Sequence, residues 1–183
     1  MNKFNTLKAV LLAAGLLALP AAHAATMSKA DYKAGKTRIS ADYKSDKSGC
    51  ASQAGNAKDI CVQEAKAKEK VALAELEYGY TGKAADRNKV LVARAESAYA
   101  VAKERCDDKA GNAKDVCVKE AKAIEIKALA DAKMGKEIGE AKKEASADKI
   151  DADYKVAVEK CDALAGDAKS SCVAAAKTKF GKN

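Results

Sequence analysis

Near its centre the chain reads Cys106-Asp107-Asp108-Lys109-Ala110-Gly111-Asn112-Ala113-Lys114-Asp115-Val116-Cys117, and related segments occur before and after it. Each copy has two cysteines eleven positions apart on either side of a Gly-Asn or Gly-Asp pair. The first cysteines of successive copies are separated by 56 and 55 residues. A pattern repeated at this spacing indicates one supersecondary unit present three times.

The turn inside each copy is typical of two helices joined as a hairpin. Glycine is the usual residue in the left-handed conformation that closes a helix, and asparagine or aspartate is a favoured amino-terminal cap of the next helix. The predicted turn residues are Gly55, Asn56, Gly111, Asn112, Gly166 and Asp167. We therefore predict an all-α protein of three tandem, disulfide-stapled, antiparallel helical hairpins.

The hairpin also predicts how the cysteines pair. In an antiparallel pair of helices, the two cysteines of one copy face each other just above the turn. A disulfide needs Cα atoms about 5.5 Å apart, which is closer than most helices approach, but a seam of alanines permits it. The predicted disulfides are Cys50–Cys61, Cys106–Cys117 and Cys161–Cys172.

Helical periodicity continues on both sides of the turns. Small and apolar residues recur at steps of three and four, as in Cys117, Ala121, Ile124, Ala128 and Ala132. This spacing predicts a narrow packing stripe of the coiled-coil kind. A tyrosine also lies seven residues before the first cysteine of each copy, where we expect it to pack beside the seam: Tyr43, Tyr99 and Tyr154.

These units divide the chain into a signal peptide at 1–24 and hairpin repeats at 25–82, 83–139 and 140–183. The first link between hairpins, residues 77–82, contains Gly79 and Gly82 and predicts a turn, with Asp86 as a cap of the helix beyond it. The second link contains Gly135 and Gly139 among helix formers. It is compatible with a turn or with a kink in one long helix.

The amino terminus has the three parts of an export signal. Lys3 and Lys8 precede the apolar run 9–19, and small residues before Ala24 predict cleavage there. No second apolar run is long enough to cross a bilayer, so we predict no transmembrane segment in the mature chain. Three disulfides require an oxidising compartment, and the expected location is the periplasm or the exterior.

Catalytic side chains are sparse after residue 24. The only histidine, His23, lies in the predicted signal peptide, so catalysis by a Ser-His or Cys-His pair is excluded from the mature chain. The cysteine spacing matches neither a Cys-x-x-Cys redox motif nor a zinc site. We predict a protein that is not an enzyme and that has no cofactor or metal.

The charges suggest what the protein binds. The net charge is +8, and +6 without Lys3 and Lys8, with acids and bases intermixed as on a solvated helix face. We predict weak binding to anionic envelope polymers or to another envelope protein, and none to nucleic acid. The predicted contacts are Lys66, Lys68 and Lys70, which follow the first turn, and Tyr78 and Tyr80, which we place in a glycine-flanked loop.

The start at residues 27–33, Met-Ser-Lys-Ala-Asp-Tyr-Lys, and the repeated Gly-Asn-Ala-Lys-Asp-x-Cys-Val segments resemble uncharacterised exported Ala/Lys-rich proteins of Gram-negative bacteria. Some of these are labelled TolA-like or cell-envelope biogenesis proteins. The TolA-like label implies a role in envelope integrity. Because catalytic side chains are sparse after residue 24, we expect a non-enzymatic structural or interaction role in the periplasmic envelope. The alternative is a periplasmic holdase chaperone or stress protein, which would need an exposed apolar groove.

Overall fold

The structure, a computed structural model, describes residues 27–182, and the predicted signal peptide at 1–24 lies outside them. This part of the chain contains five α-helices and no β-strand: α1 Lys29–Gly49, α2 Gly55–Thr81, α3 Ala84–Cys106, α4 Gly111–Cys161 and α5 Gly166–Phe180. A short 3-10 turn, Cys50–Ser52, follows α1. The all-α prediction is confirmed.

The three predicted disulfides are also confirmed. Cys50–Cys61 joins the end of α1 to α2, Cys106–Cys117 joins α3 to α4, and Cys161–Cys172 joins α4 to α5. The Cα atoms are 5.7 Å apart in every pair. In each pair the first cysteine is fully buried between the two helices.

The same backbone conformation opens the second helix of every hairpin. An extended alanine at 54, 110 or 165 is followed by a glycine with positive φ, at 56° in Gly55, 52° in Gly111 and 58° in Gly166. These glycines therefore begin the second helix, whereas the prediction had them close the first. No side chain caps these three helices, so the predicted caps are wrong. Asn56 instead donates from Nδ2 to the backbone oxygen of Glu104, at 3.1 Å.

Each helix packs only against its neighbours in the chain. Contacts join α1 to α2, α2 to α3, α3 to α4 and α4 to α5, and the 3-10 turn touches α1 and α2. Within residues 27–182 no helix returns to close a bundle. The packed helices are arranged in series, with α1 at one edge.

The buried side chains are small, as the composition implies. The buried side chains in residues 27–182 belong to six alanines, one valine, three cysteines and three polar residues. In α4 the buried series includes Ala121, Glu125 and Ala132, while Ile124 is 66% exposed. The predicted stripe was therefore wrong at Ile124. Glu125 is accommodated because Lys122 binds its carboxylate at 2.5 Å.

The two links between hairpins differ. Helix α2 continues through Tyr78, Gly79 and Tyr80 and ends at Gly82, which has φ 64°. Helix α4 runs without a break through Gly135 and Gly139 for 51 residues, about 76 Å at 1.5 Å per residue. The second and third hairpins thus share one continuous helix. The predicted boundary between repeats, after residue 139, lies inside this helix.

Asp86 stabilises the first link from within the first turn of α3, although Lys83 occupies the cap position. The Asp86 carboxylate accepts from Thr81 Oγ1 at 2.6 Å and pairs with Lys89 at 2.8 Å. The residue is 5% exposed. The bonds from Lys89 and Thr81 lower the pKa of Asp86 below its ordinary value of 3.8.

This pKa shift predicts how acid affects the link. Because the folded-state pKa is depressed, the stabilisation by Asp86 is present above the ordinary value and is lost as the pH falls below it. Urea unfolding should show Asp86→Asn less stable than the parent at neutral pH, with the difference shrinking toward about pH 2. A difference that does not change with pH would contradict this role for the carboxylate.

Candidate functional site: a lysine face on the edge helix

Five lysines lie along one side of α1, and we call them the lysine face: Lys29, Lys33, Lys36, Lys44 and Lys47. Ser40 fills the gap at the same spacing. At about 100° per residue these positions fall within roughly one quarter of the helix circumference. All five side chains are exposed, and they extend over about 27 Å of helix.

The acidic residues of α1 lie on other sides of the helix. Asp31, Asp42 and Asp46 are at least a quarter turn away from the centre of the lysine face. Asp46 is directed toward α2, where it pairs with Lys68 at 2.8 Å. Among the described residues, no member of the lysine face forms an ion pair. The face therefore carries positive charge without neutralising carboxylates.

The rotation of α1 about its axis is set by the side that contacts α2. Gly35 is buried there, and a Cβ atom at this position would lie 2.7 Å from Leu76 Cδ1. Tyr32 stacks on Tyr80, with ring centroids 4.5 Å apart, and its hydroxyl donates to Glu77. That bond raises the pKa of Tyr32. These contacts fix the inner side of α1, and the lysine face is left toward solvent.

The structure does not gather Lys66, Lys68 and Lys70 into one contact surface. Lys68 reaches back to Asp46 of α1 at 2.8 Å, and Lys70 reaches Glu96 of α3 at 2.5 Å. Positions two apart in a helix point in nearly opposite directions, so Lys68 lies away from the other two. Ion pairs with two different helices compensate two of the three charges. The three lysines therefore do not form one surface, and their contact with a partner stays a prediction.

Tyr78 and Tyr80 also differ from the prediction, because both belong to α2 and neither lies in a loop. Tyr80 is half-buried against Tyr32. Tyr78 is 37% exposed. The loop was predicted from both Gly79 and Gly82, but only Gly82 adopts the left-handed conformation that ends the helix.

The sequence does contain a signal for the lysine face. Lysines or a serine recur from position 29 to 47 at steps of four, three, four, four and three, which is the period of one helix side. The lysines predicted as contacts all lie after the first turn, and the row on α1 was not recognised.

A shallow apolar groove of about 480 Å³ lies between α2 and α3. Methyl groups form much of its lining: Ala67, Val71, Ala98, Val101 and Ala102. Arg105 and Glu64 pair at 2.6 Å on its rim. Ser97 also lines it, and its buried hydroxyl has no hydrogen-bond partner. The groove is the surface most relevant to the holdase alternative.

No group of three or more His, Cys, Asp or Glu side chains in residues 27–182 is placed to hold a metal ion, and all cysteines in this part of the chain are in disulfides. None of its helices is long and apolar enough to span a membrane.

No protein-family model matches this chain, and no curated protein or solved structure shows significant similarity to it.

Proposed function

We propose that this protein is a non-enzymatic interaction protein of the periplasmic envelope, whose lysine face binds an extended anionic envelope polymer. The observation that carries the proposal is the single-sign face on α1, with five exposed lysines and no carboxylate among them. Three disulfides support an oxidising compartment, because such bonds are rare in the reducing cytoplasm.

A linear polymer fits this face better than a lipid surface does. The lysines form one row of about 27 Å, which can follow successive anionic groups of an extended chain. A helix that lies on a bilayer needs an apolar side to insert into the lipid. The apolar side chains Tyr32, Ile39 and Tyr43 of α1 are half-buried, so they are not free for that role.

The affinity should be modest and should depend on salt. Exposed charges contribute about 0.2–1 kcal/mol per contact, and they act over about 8–10 Å near physiological salt. The lysine face gains from several such contacts at once. Binding should therefore be measurable at low salt and should fade as salt is added.

The test compares two triple variants with the same change of charge. We expect Lys33→Gln, Lys44→Gln and Lys47→Gln together to weaken binding to polygalacturonate, a carboxylated polysaccharide, roughly tenfold at low salt. Glutamine keeps nearly the helix propensity of lysine, so circular dichroism should be unchanged. Titration calorimetry or fluorescence anisotropy can measure the binding.

The matched control replaces Lys66, Lys103 and Lys127 by Gln, since these exposed lysines lie on three different helices. We expect this control to weaken binding much less than the α1 variant. Equal losses in the two variants would show attraction to net charge alone and would overturn the lysine face as the site. Binding of the parent to phosphatidylglycerol vesicles but not to the polysaccharide would overturn the choice of ligand.

The α2–α3 groove supports a second candidate, the holdase chaperone. Its apolar lining is exposed to solvent and could hold short apolar segments of an unfolded protein. The parent protein should then suppress aggregation of an unfolded client without ATP, and Val71→Gln should reduce this effect. Aggregation that proceeds unchanged in the presence of the protein would exclude this candidate.

A further inference from the structure

The middle of α4 stands apart from the packed helices. Every residue from 133 to 153 is exposed. On its amino-terminal side α4 packs on α3, where Ala121 and Ala132 are buried, and on its carboxy-terminal side Cys161 is buried against α5. Apart from the ion pair of Asp151 with Lys182 near its carboxy-terminal end, the segment 133–153 therefore lacks the tertiary packing that supports the rest of the helix.

Little within this segment stabilises a single helix. It contains Gly135 and Gly139, each costing about 1 kcal/mol relative to alanine. Its two internal ion pairs, Lys133–Glu137 and Lys136–Glu140, span 3.8 Å and have lysine first, which is the weaker order. In proteins, most of the stability of a helix comes from tertiary packing and not from helix propensity. A partner that covered the segment would supply the missing contacts.

One side of the segment has the pattern of a coiled-coil seam. Met134, Ile138, Ala141, Ala145 and Ala152 recur at heptad spacing. Met134 is 54% and Ile138 is 48% exposed. At about 100° per residue, the seam lies on nearly the opposite side of α4 from the side on which Ala121, Ala132 and Cys161 are buried. A second helix could reach the seam without meeting α3 or α5.

We propose that α4 pairs with α4 of a second copy of this chain, in parallel and in register, through this seam. The flanking charges favour that partner. In a parallel pair, Glu137 lies beside Lys142 of the second copy, and Glu144 lies beside Lys149 of the second copy. In an antiparallel pair, the flank that carries Glu137 and Glu144 would face the same acidic flank of the second copy, and the flank that carries Lys142 and Lys149 would face the same basic flank. The charges that flank the seam therefore favour a second copy of this chain as the partner, and they favour the parallel arrangement.

Asp148 occupies one seam position and keeps the affinity low. In the parallel pair the two Asp148 carboxylates face each other, and like charges oppose association. We expect Asp148→Leu to tighten the dimer about tenfold or more, because it removes the repulsion and adds an apolar contact.

Sedimentation equilibrium tests the pairing, with two isoleucines of α4 as a matched pair. Ile138 is in the seam, whereas Ile126 is 56% exposed on a different side of the same helix. The apparent molecular mass of the parent protein should rise with protein concentration toward that of a dimer. Ile138→Gln should weaken dimerisation about tenfold, and Ile126→Gln should leave it unchanged. A parent that stays monomeric, or equal effects of the two substitutions, would overturn the proposal.

A cysteine in the seam tests the direction. In the parallel pair, Ala145→Cys places two thiols at the same level, so mild oxidation should give a disulfide-linked dimer. In the antiparallel pair residue 145 would lie beside residue 141, and only a mixture of Ala141→Cys and Ala145→Cys proteins would crosslink efficiently. Efficient crosslinking of that mixture alone would overturn the parallel arrangement. A digest without reductant must show the three native disulfides intact.

Discussion

Reduction of the three disulfides is expected to lower the thermal midpoint by roughly 20–30 °C. Each bond closes a loop between cysteines eleven positions apart, and the loop-entropy model assigns about 3 kcal/mol to such a loop. For a protein of this size, 1 kcal/mol shifts the midpoint by about 2–4 °C. The effect should be large because the core consists mostly of alanine, with few large side chains to compensate.

The loss should be greatest at the carboxy terminus. Helix α5 has 15 residues and packs only on α4, and a helix of that length is marginal alone. Amide exchange after reduction should show α5 unprotected while α2 and α3 keep part of their protection. The double variant Cys161→Ala, Cys172→Ala should reproduce the α5 effect without affecting Cys50–Cys61. An unchanged midpoint in reductant would show that packing alone holds the hairpins.

Gly35→Val is expected to destabilise the first hairpin by about 1–3 kcal/mol, the usual cost of overpacking. The added Cβ would lie 2.7 Å from Leu76 Cδ1, and valine adds two more methyl groups. Leu76 is a flexible side chain, so Gly35→Ala should be tolerated better than Gly35→Val. Urea unfolding with the disulfides intact measures both variants.

The matched control is Gly135→Val in the exposed part of α4. Apart from its chain neighbours and the local helix backbone, no atom lies within 4 Å of a Cβ atom placed at Gly135, and valine is no worse than glycine as a helix former. We expect a change within about 0.5 kcal/mol. A similar loss at both glycines would assign the effect to valine in a helix and not to the α1–α2 contact.

The fold could be predicted from the sequence largely because its determining contacts are local. A cysteine, a glycine turn and a second cysteine within twelve residues leave few alternatives to a hairpin, and three copies remove the ambiguity of pairing. Helix class followed from the many alanines, lysines and glutamates.

The remaining details depend on contacts between helices, which spacing alone does not determine. Asn56 was predicted to be a helix cap, but its side chain donates a hydrogen bond to the backbone carbonyl of Glu104 in the second hairpin. Ile124 and Glu125 are adjacent, and the rotation of α4 against α3 decides which is buried. The link at Gly135 and Gly139 stays helical because a glycine lowers helix stability without by itself ending a helix.

The site was harder to predict than the fold. Lys66, Lys68 and Lys70 are close in sequence, but a helix turns successive charges toward different neighbours, and here the neighbours are Asp46 and Glu96. In the described part of the chain, helix α1 packs on α2 and the short 3-10 turn alone, which leaves much of its circumference open to solvent, and this order of packing is known only from the structure.

The most direct test of the lysine face is amine-reactive labelling of the folded protein with and without polygalacturonate, read residue by residue by mass spectrometry. The bound polymer should protect Lys33, Lys44 and Lys47 from the reagent and leave Lys103 and Lys127 as reactive as before. Protection should disappear at high salt, because the contacts are between exposed charges. Protection spread evenly over the lysines, or confined to helices other than α1, would contradict the account.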